Sequence, residues 1–204
     1  MQNIENLIFD LGGVILTLDM PRAEQHFTAL GVKDYNTLFR SGNVSSFFKD
    51  YEVGGISDAE FLEALRNLAA LPLTDEELVA AWNAMLGHFP EERIALLSKL
   101  KNKYRSFLFS NTNALHLITF RKMYTDAFNG NVFDDHFEKA YYSHLLRMRK
   151  PDKESYEHII RENNLDPSKT VFIDDSILNI EGAEAAGLKG IHIKPGTSIL
   201  DIDL

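Results

Sequence analysis

Cysteine is absent from the 204 residues. That excludes disulfides, thiolate metal sites and a cysteine nucleophile, and it suits a reducing compartment, so a cytoplasmic protein is expected. Basic charge is also scarce. Lys and Arg number 21 against 30 Asp and Glu, a formal charge of -9, which argues against a nucleic-acid partner, because phosphate backbones are bound by clustered cations. Long apolar runs are missing as well. Nothing approaches the ~18 consecutive apolar residues of a membrane span. The start, MQNIEN, has no basic region, and Asp10 breaks the apolar segment behind it, so no signal peptide is expected. Internal repeats, low-complexity tracts and long heptad arrays are lacking too, which leaves a monomer as the default.

What is present is enough apolar sequence for a sizeable core (45%) and an ordinary charged fraction (25%). Short apolar segments read as strands at 4–9, 105–109, 138–142, 170–173 and 189–193. Helical patterns fall between them at 91–103, 114–128, 152–163 and 176–187, the second of these read as interrupted and the last closing at Gly187. Alternating strands and helices predict an α/β fold: a Rossmann-like parallel sheet with helices on both faces and ligands at the carboxyl ends of the strands.

Residues 17–89 break the alternation. Ser57 with Glu60, and Thr74 with Glu77, are capping boxes that open helices at 57–71 and 74–86. The expected organisation is therefore a core of residues 1–16 and 90–204, interrupted by a helical insertion at 17–89.

The strand ends carry the chemistry. The first delivers Asp10, the second Ser110 and Asn111, the fourth Asp174 and Asp175, and Lys150 lies in the RKPD turn before a helix. Each residue alone has an ordinary reading as a cap, a turn or a solvated side chain. Their joint occurrence at successive strand ends points to one crevice. Crowded carboxylates stay ionised when a cation joins them, and an all-oxygen ligand set favours Mg2+. Asp10 can then serve as a nucleophile, while Ser110 and Lys150 hold phosphoryl oxygens. That set describes phosphoryl transfer from a small phosphorylated metabolite.

Four stretches, FDLGGVIL (9–16), FLFSNTN (107–113), RKPDKESY (149–156) and FIDDSILNIEGA (172–183), resemble in order the motifs of the haloacid dehalogenase superfamily of hydrolases. The insertion resembles its C1 helical cap. The combination is most similar to the subgroup of alpha-D-glucose-1-phosphate phosphatases and soluble epoxide hydrolase phosphatase domains. The resemblance implies a Mg2+-dependent phosphatase for a small sugar phosphate. Asp10 would be nucleophile and metal ligand, Gly12 a ligand through its carbonyl, Asp175 a direct ligand and Asp174 an assisting one. Ser110, Asn111 and Lys150 would bind phosphate, Lys150 would also neutralise Asp10, and Asn179 would orient the metal site from behind.

One position departs from the family. Most phosphatases of the superfamily carry a second Asp two residues after the nucleophile, as proton donor to the leaving group, and here that place is Gly12. His116 is a stand-in by position, with a helix-surface histidine as the plainer reading. The departure keeps two rivals in view, a 2-haloacid dehalogenase and a phosphate-binding regulatory protein without turnover. The Asp174–Asp175 pair speaks against the first, since a metal-free dehalogenase has no use for it. Substrate contacts are expected from the insertion, with Arg22, Phe47, Phe48, Tyr51 and Trp82 as candidates, although an aromatic cluster such as FFKDY equally suits helix packing. VGGIS at 53–57 reads as a flexible turn.

Overall fold

The computed structural model of the protein describes residues 3–33, Tyr35 and residues 45–203. Five strands, β1 (Asn6–Phe9), β2 (Arg105–Ser110), β3 (Lys139–Tyr142), β4 (Thr170–Asp174) and β5 (Lys189–His192), form one sheet in the order β3-β2-β1-β4-β5. Every neighbouring pair is parallel. β1 is central, and the chain fills one side of it before crossing to the other. Phe9 lies opposite Leu108 on one side and Ile173 on the other, so the next residues of three strands meet at one edge.

The sheet is covered on both faces because its strands bury both. Leu7, Phe9, Leu108, Val171 and Ile173 pack into one cluster with Ile94 and Leu97 of α5 (Glu91–Leu100) and Leu117 and Phe120 of α6 (Ala114–Ala127). The alternate positions Ile8, Phe107, Phe109 and Phe172 face Tyr156 and Ile159 of α8 (Lys153–Glu162) and Ile180 and Ala183 of α9 (Ile177–Ala185). Successive strand residues point to opposite faces. Burying each large apolar side chain contributes roughly 1.5–3 kcal/mol. A short helix, α7 (Ser143–Leu146), follows β3.

The expected interruption of the helix at 114–128 does not occur. α6 runs unbroken for 14 residues. Asn113 caps it by accepting from the His116 amide, and Thr119 folds its hydroxyl back onto the Leu115 carbonyl instead of competing for the chain.

Between β1 and β2 lie α1 (Met20–Ala29), α2 (Ser45–Glu52), α3 (Asp58–Ala69) and α4 (Asp75–Asn83). Both expected capping boxes are formed, Ser57 with Glu60 and Thr74 with Glu77. These helices share a separate apolar cluster built on Phe27, Tyr51, Phe61, Leu65 and Leu78. Two antiparallel segments join it to the sheet. Thr17 receives from Gly87 and donates to His88 through its backbone, and Asp19 donates to the Met85 carbonyl. Among the described residues no helix is long and apolar enough to cross a membrane.

Candidate active site

Asp10 follows β1, with its amide bonded to the Ile173 carbonyl at 2.9 Å. Ser110 ends β2 and Asp174 ends β4. Lys150 reaches them from the loop after α7. Its Nζ lies 2.6 Å from Asp10 Oδ1 and 2.7 Å from Asp174 Oδ2. The lysine side chain is 1% exposed and that of Asp174 is fully buried. The faces of Phe109 and Phe172 enclose the ammonium at 5.5 and 5.4 Å, an arrangement that favours a cation. The charge that Asp174 faces is therefore first of all an ammonium.

Asp174 is held on its other sides as well. The Asn179 amide donates to both of its oxygens, at 3.0 and 3.1 Å, and the Ser176 amide donates to Oδ1 at 2.8 Å. Asn179 is thus placed behind a site carboxylate. Asn111 fixes the lysine from the backbone side. Its Nδ2 donates to the Lys150 carbonyl and its Oδ1 accepts the Lys150 amide, both at 2.9 Å. This side-chain clamp was not foreseen, because the resemblance assigns only a phosphate role to Asn111. Ser110 is buried at the end of its strand.

One oxygen from each of Asp10, Asp174 and Asp175 falls within 4.8 Å of the other two. Asp175 is the exposed member of the group. Three carboxylates with one lysine leave an excess of negative charge in a largely buried place. Burial pushes the Asp10 carboxyl up to about 7, against the pull of Lys150. Burial, then Asp174, raises Asp175. Burial also works against the Lys150 charge, but Asp10 and Asp174 outweigh it and hold the ammonium above the ordinary lysine range. The cluster fits a divalent cation: its donors are all oxygen, they converge, and three carboxylates against one ammonium lack two compensating positive charges.

Gly12 sits two residues beyond Asp10, and the space a side chain would take there is filled by Leu18. His116 is not the surface histidine of the plainer reading. It is 7% exposed, stacked on Trp82 at 5.0 Å between centroids, and bonded through Nδ1 to Asn83 Oδ1 at 2.7 Å. The amide oxygen accepts, so Nδ1 carries the hydrogen. Burial pushes its pKa down to about 3, which leaves the ring neutral near pH 7.

The insertion's aromatic candidates are brought together, around Phe61. Tyr51 stacks on it at 4.0 Å, and Phe47, Phe48 and Trp82 lie 5.8, 5.8 and 5.0 Å away. Packing therefore accounts for much of the FFKDY cluster. Arg22 is exposed on the first turn of α1.

Known proteins resemble this chain in sequence and fold. The haloacid dehalogenase-like hydrolase family matches residues 4–187. A D-ribitol-5-phosphate phosphatase of Bacteroides thetaiotaomicron is 30% identical over 95% of this chain and 93% of its own. A sesquiterpene phosphatase of Aspergillus oryzae is 30% identical over 91% and 88%. The crystal structure of a haloacid dehalogenase family enzyme of B. thetaiotaomicron, in complex with magnesium and inorganic phosphate, superposes with a TM-score of 0.87 at 34% identity, covering 95% of this chain and 96% of that one. A dehalogenase of Xanthobacter autotrophicus shares the fold at a TM-score of 0.62 with 16% identity, over 93% of this chain and 77% of its own. The chain belongs to the haloacid dehalogenase-like hydrolases.

Proposed function

We propose that the protein is a Mg2+-dependent phosphatase acting on a small phosphomonoester, with a sugar or sugar-alcohol phosphate as the substrate class, through an aspartyl-phosphate on Asp10. The observation that carries this reading is the Lys150 ammonium seated between Asp10 and Asp174, with Asp175 across the same opening. The two phosphatase relatives and the magnesium- and phosphate-bound structure support it.

Asp10, Asp175 and the Gly12 carbonyl would hold Mg2+, with Asp174 beside them. Bound there, the ion supplies positive charge that offsets the repulsion between an anionic nucleophile and an anionic phosphoryl group. The protein's own groups do the rest. Asp10 Oδ attacks phosphorus in line with the departing oxygen. Lys150 favours the ionised form of Asp10 and neutralises a phosphoryl oxygen, and the Ser110 hydroxyl and the Asn111 backbone amide bind the others. Asp174, itself held by Asn179 and Ser176, keeps the ammonium in place.

Leaving-group protonation is the weak point. Gly12 offers no acid, and general acid catalysis contributes ~10²–10⁴-fold where it operates. His116, neutral near pH 7 and tied to Asn83, does not supply the proton as an imidazolium. Turnover should then favour esters whose leaving oxygen needs little help, such as an anomeric one. Residues 17–89 form the cap over this opening, with boundaries near 16 and 90, and a cytoplasmic monomer suits the whole.

Initial rates on p-nitrophenyl phosphate, alpha-D-glucose 1-phosphate and primary sugar and sugar-alcohol phosphates, with Mg2+ and with EDTA, test this. The expected result is hydrolysis that EDTA abolishes, with rates falling steeply as leaving-group pKa rises. Metal binding without hydrolysis of any of these esters would put the regulatory reading in its place.

A further inference from the structure

One short segment of the core carries both Lys150 and, among the described residues, three side chains bonded to one turn of the insertion. Lys150 is its last residue. Immediately before it, Arg149 Nε binds Glu52 Oε2 at 2.6 Å, an ion pair about a quarter exposed on each side. Arg147 donates to the Gly54 carbonyl. Ser143, fully buried at the start of α7, lies 2.6 Å from the Glu52 carbonyl. Glu52 closes α2, and Gly54 stands in the turn just after it. Three core side chains thus converge on one turn of the insertion.

The turn that looked flexible in the sequence is the part that is fitted. Gly54 has φ +66, and a Cβ there would come closer than 3 Å to the His144 carbonyl oxygen of α7. Backbone meets backbone at that point, with no flexible side chain to give way. A residue larger than glycine would be strained by its own φ and would wedge the turn off the core.

The same segment is bonded to the loop that follows β2. Ser143 Oγ accepts the Thr112 amide at 2.9 Å and lies 2.9 Å from the Thr112 carbonyl. A serine hydroxyl has one hydrogen, and here two carbonyls compete for it. Glu52, on the insertion, is the nearer; Thr112, on the core, is the other. Withdrawal of the insertion would free that hydrogen for Thr112. Asn111, next in the chain, is clamped to the Lys150 backbone. Contact therefore runs without a gap from the 52–54 turn, through Ser143 and Arg149, to Asn111, Thr112 and Lys150.

We infer that Glu52 and Gly54 are positioning residues: seating of the 52–54 turn on Ser143, Arg147 and Arg149 sets the placement of Lys150 and of the Ser110–Thr112 loop, so that the site is assembled only when the insertion is docked. Glu52 bonds to Ser143 and Arg149, and Gly54 to Arg147. Their effect passes through the segment 143–150. Such coupling would restrict turnover to complexes in which water is already excluded. The kinetic part of this inference rests on the phosphatase reading; the structural part does not.

The test pairs hydrogen exchange with steady-state kinetics, on the wild type and on Glu52→Ala, Glu52→Gln and Gly54→Ala. In both alanine variants, peptides covering 110–116 and 143–152 should exchange at least about tenfold faster, while those covering 5–9 and 170–173 stay unchanged. With p-nitrophenyl phosphate and Mg2+, kcat should fall about tenfold with little change in KM. Glu52→Gln, which keeps an acceptor for Arg149, should recover most of both. A role confined to holding the insertion's fold would lower its melting temperature and leave exchange at 143–152 and kcat alone, and that result would overturn the inference. Equal loosening of every peptide would overturn it as well. A wild type inactive on all phosphomonoesters would count against the phosphatase reading only, and the exchange pattern would still decide the coupling.

Discussion

Gly13 and Asp175 occupy almost the same space. Gly13 has φ +77, and a Cβ on it would come closer than 3 Å to Asp175 Oδ2. The turn after Asp10 has to be glycine at this point so that the Asp175 carboxylate can lean in beside Asp10. Gly13→Ala should therefore displace Asp175, a metal ligand in the proposed reading, as well as strain the turn. The strain costs roughly 1–2 kcal/mol. The apparent Mg2+ affinity, read by titration calorimetry or activity against Mg2+, should fall at least about tenfold. An unchanged metal dependence would remove Asp175 from the metal site.

Lys150 is buried with two carboxylates and supplies their counter-charge. Replacing it by Met leaves Asp10 and Asp174 buried without their counter-charge. Breaking a buried pair in this way typically costs about 3–5 kcal/mol. Lys150→Met should lose that order of stability in EDTA by denaturant unfolding, recover part of it with Mg2+, and lose the Mg2+-dependent hydrolysis. A change below about 1 kcal/mol in EDTA would mean that the ammonium is not holding the carboxylates together.

The strand ends were the legible part of this molecule. Short, nearly continuous apolar runs placed the five strands, and Asp10, Ser110 and Asp174 at the ends of three of them placed the crevice, because a strand buried on both faces declares itself by composition and a ligand site by what interrupts it. What the side chains do with one another was less legible. Asp174 and Asp175 look equivalent in sequence, yet one faces Lys150 and the other faces the opening. The resemblance gives a phosphate role to the Asn111 backbone amide and says nothing of its side chain, which clamps Lys150. The bonds that Ser143 and Arg149 make to Glu52 gave no signal, since those partners lie 91 and 97 residues away. His116 misled because helical periodicity cannot reveal that another part of the chain covers the exposed face.

His116 makes a separate prediction. Its folded pKa is lowered to about 3 from 6.5, so below pH 6.5 the unfolded chain takes up a proton that the folded protein refuses. Stability should fall as pH drops from 6.5 toward 3, by about 2 kcal/mol at pH 5 relative to neutral pH. In His116→Gln this share of the pH dependence should vanish. Unfolding curves at pH 7 and pH 5 for both proteins check it. Parallel losses in the two would show that His116 is protonated in the folded state.

The central claim is that Asp10 carries the phosphoryl group. A single-turnover experiment tests it most directly: enzyme in excess over a 32P-labelled phosphomonoester with Mg2+, quenched in acid at successive times. Label should pass transiently onto the protein and then to inorganic phosphate. In Asp10→Asn no protein label should form, and kcat should fall at least about 10³-fold with the fold intact. Hydrolysis at an undiminished rate by Asp10→Asn, or phosphate release with no labelled protein at any time, would contradict the account.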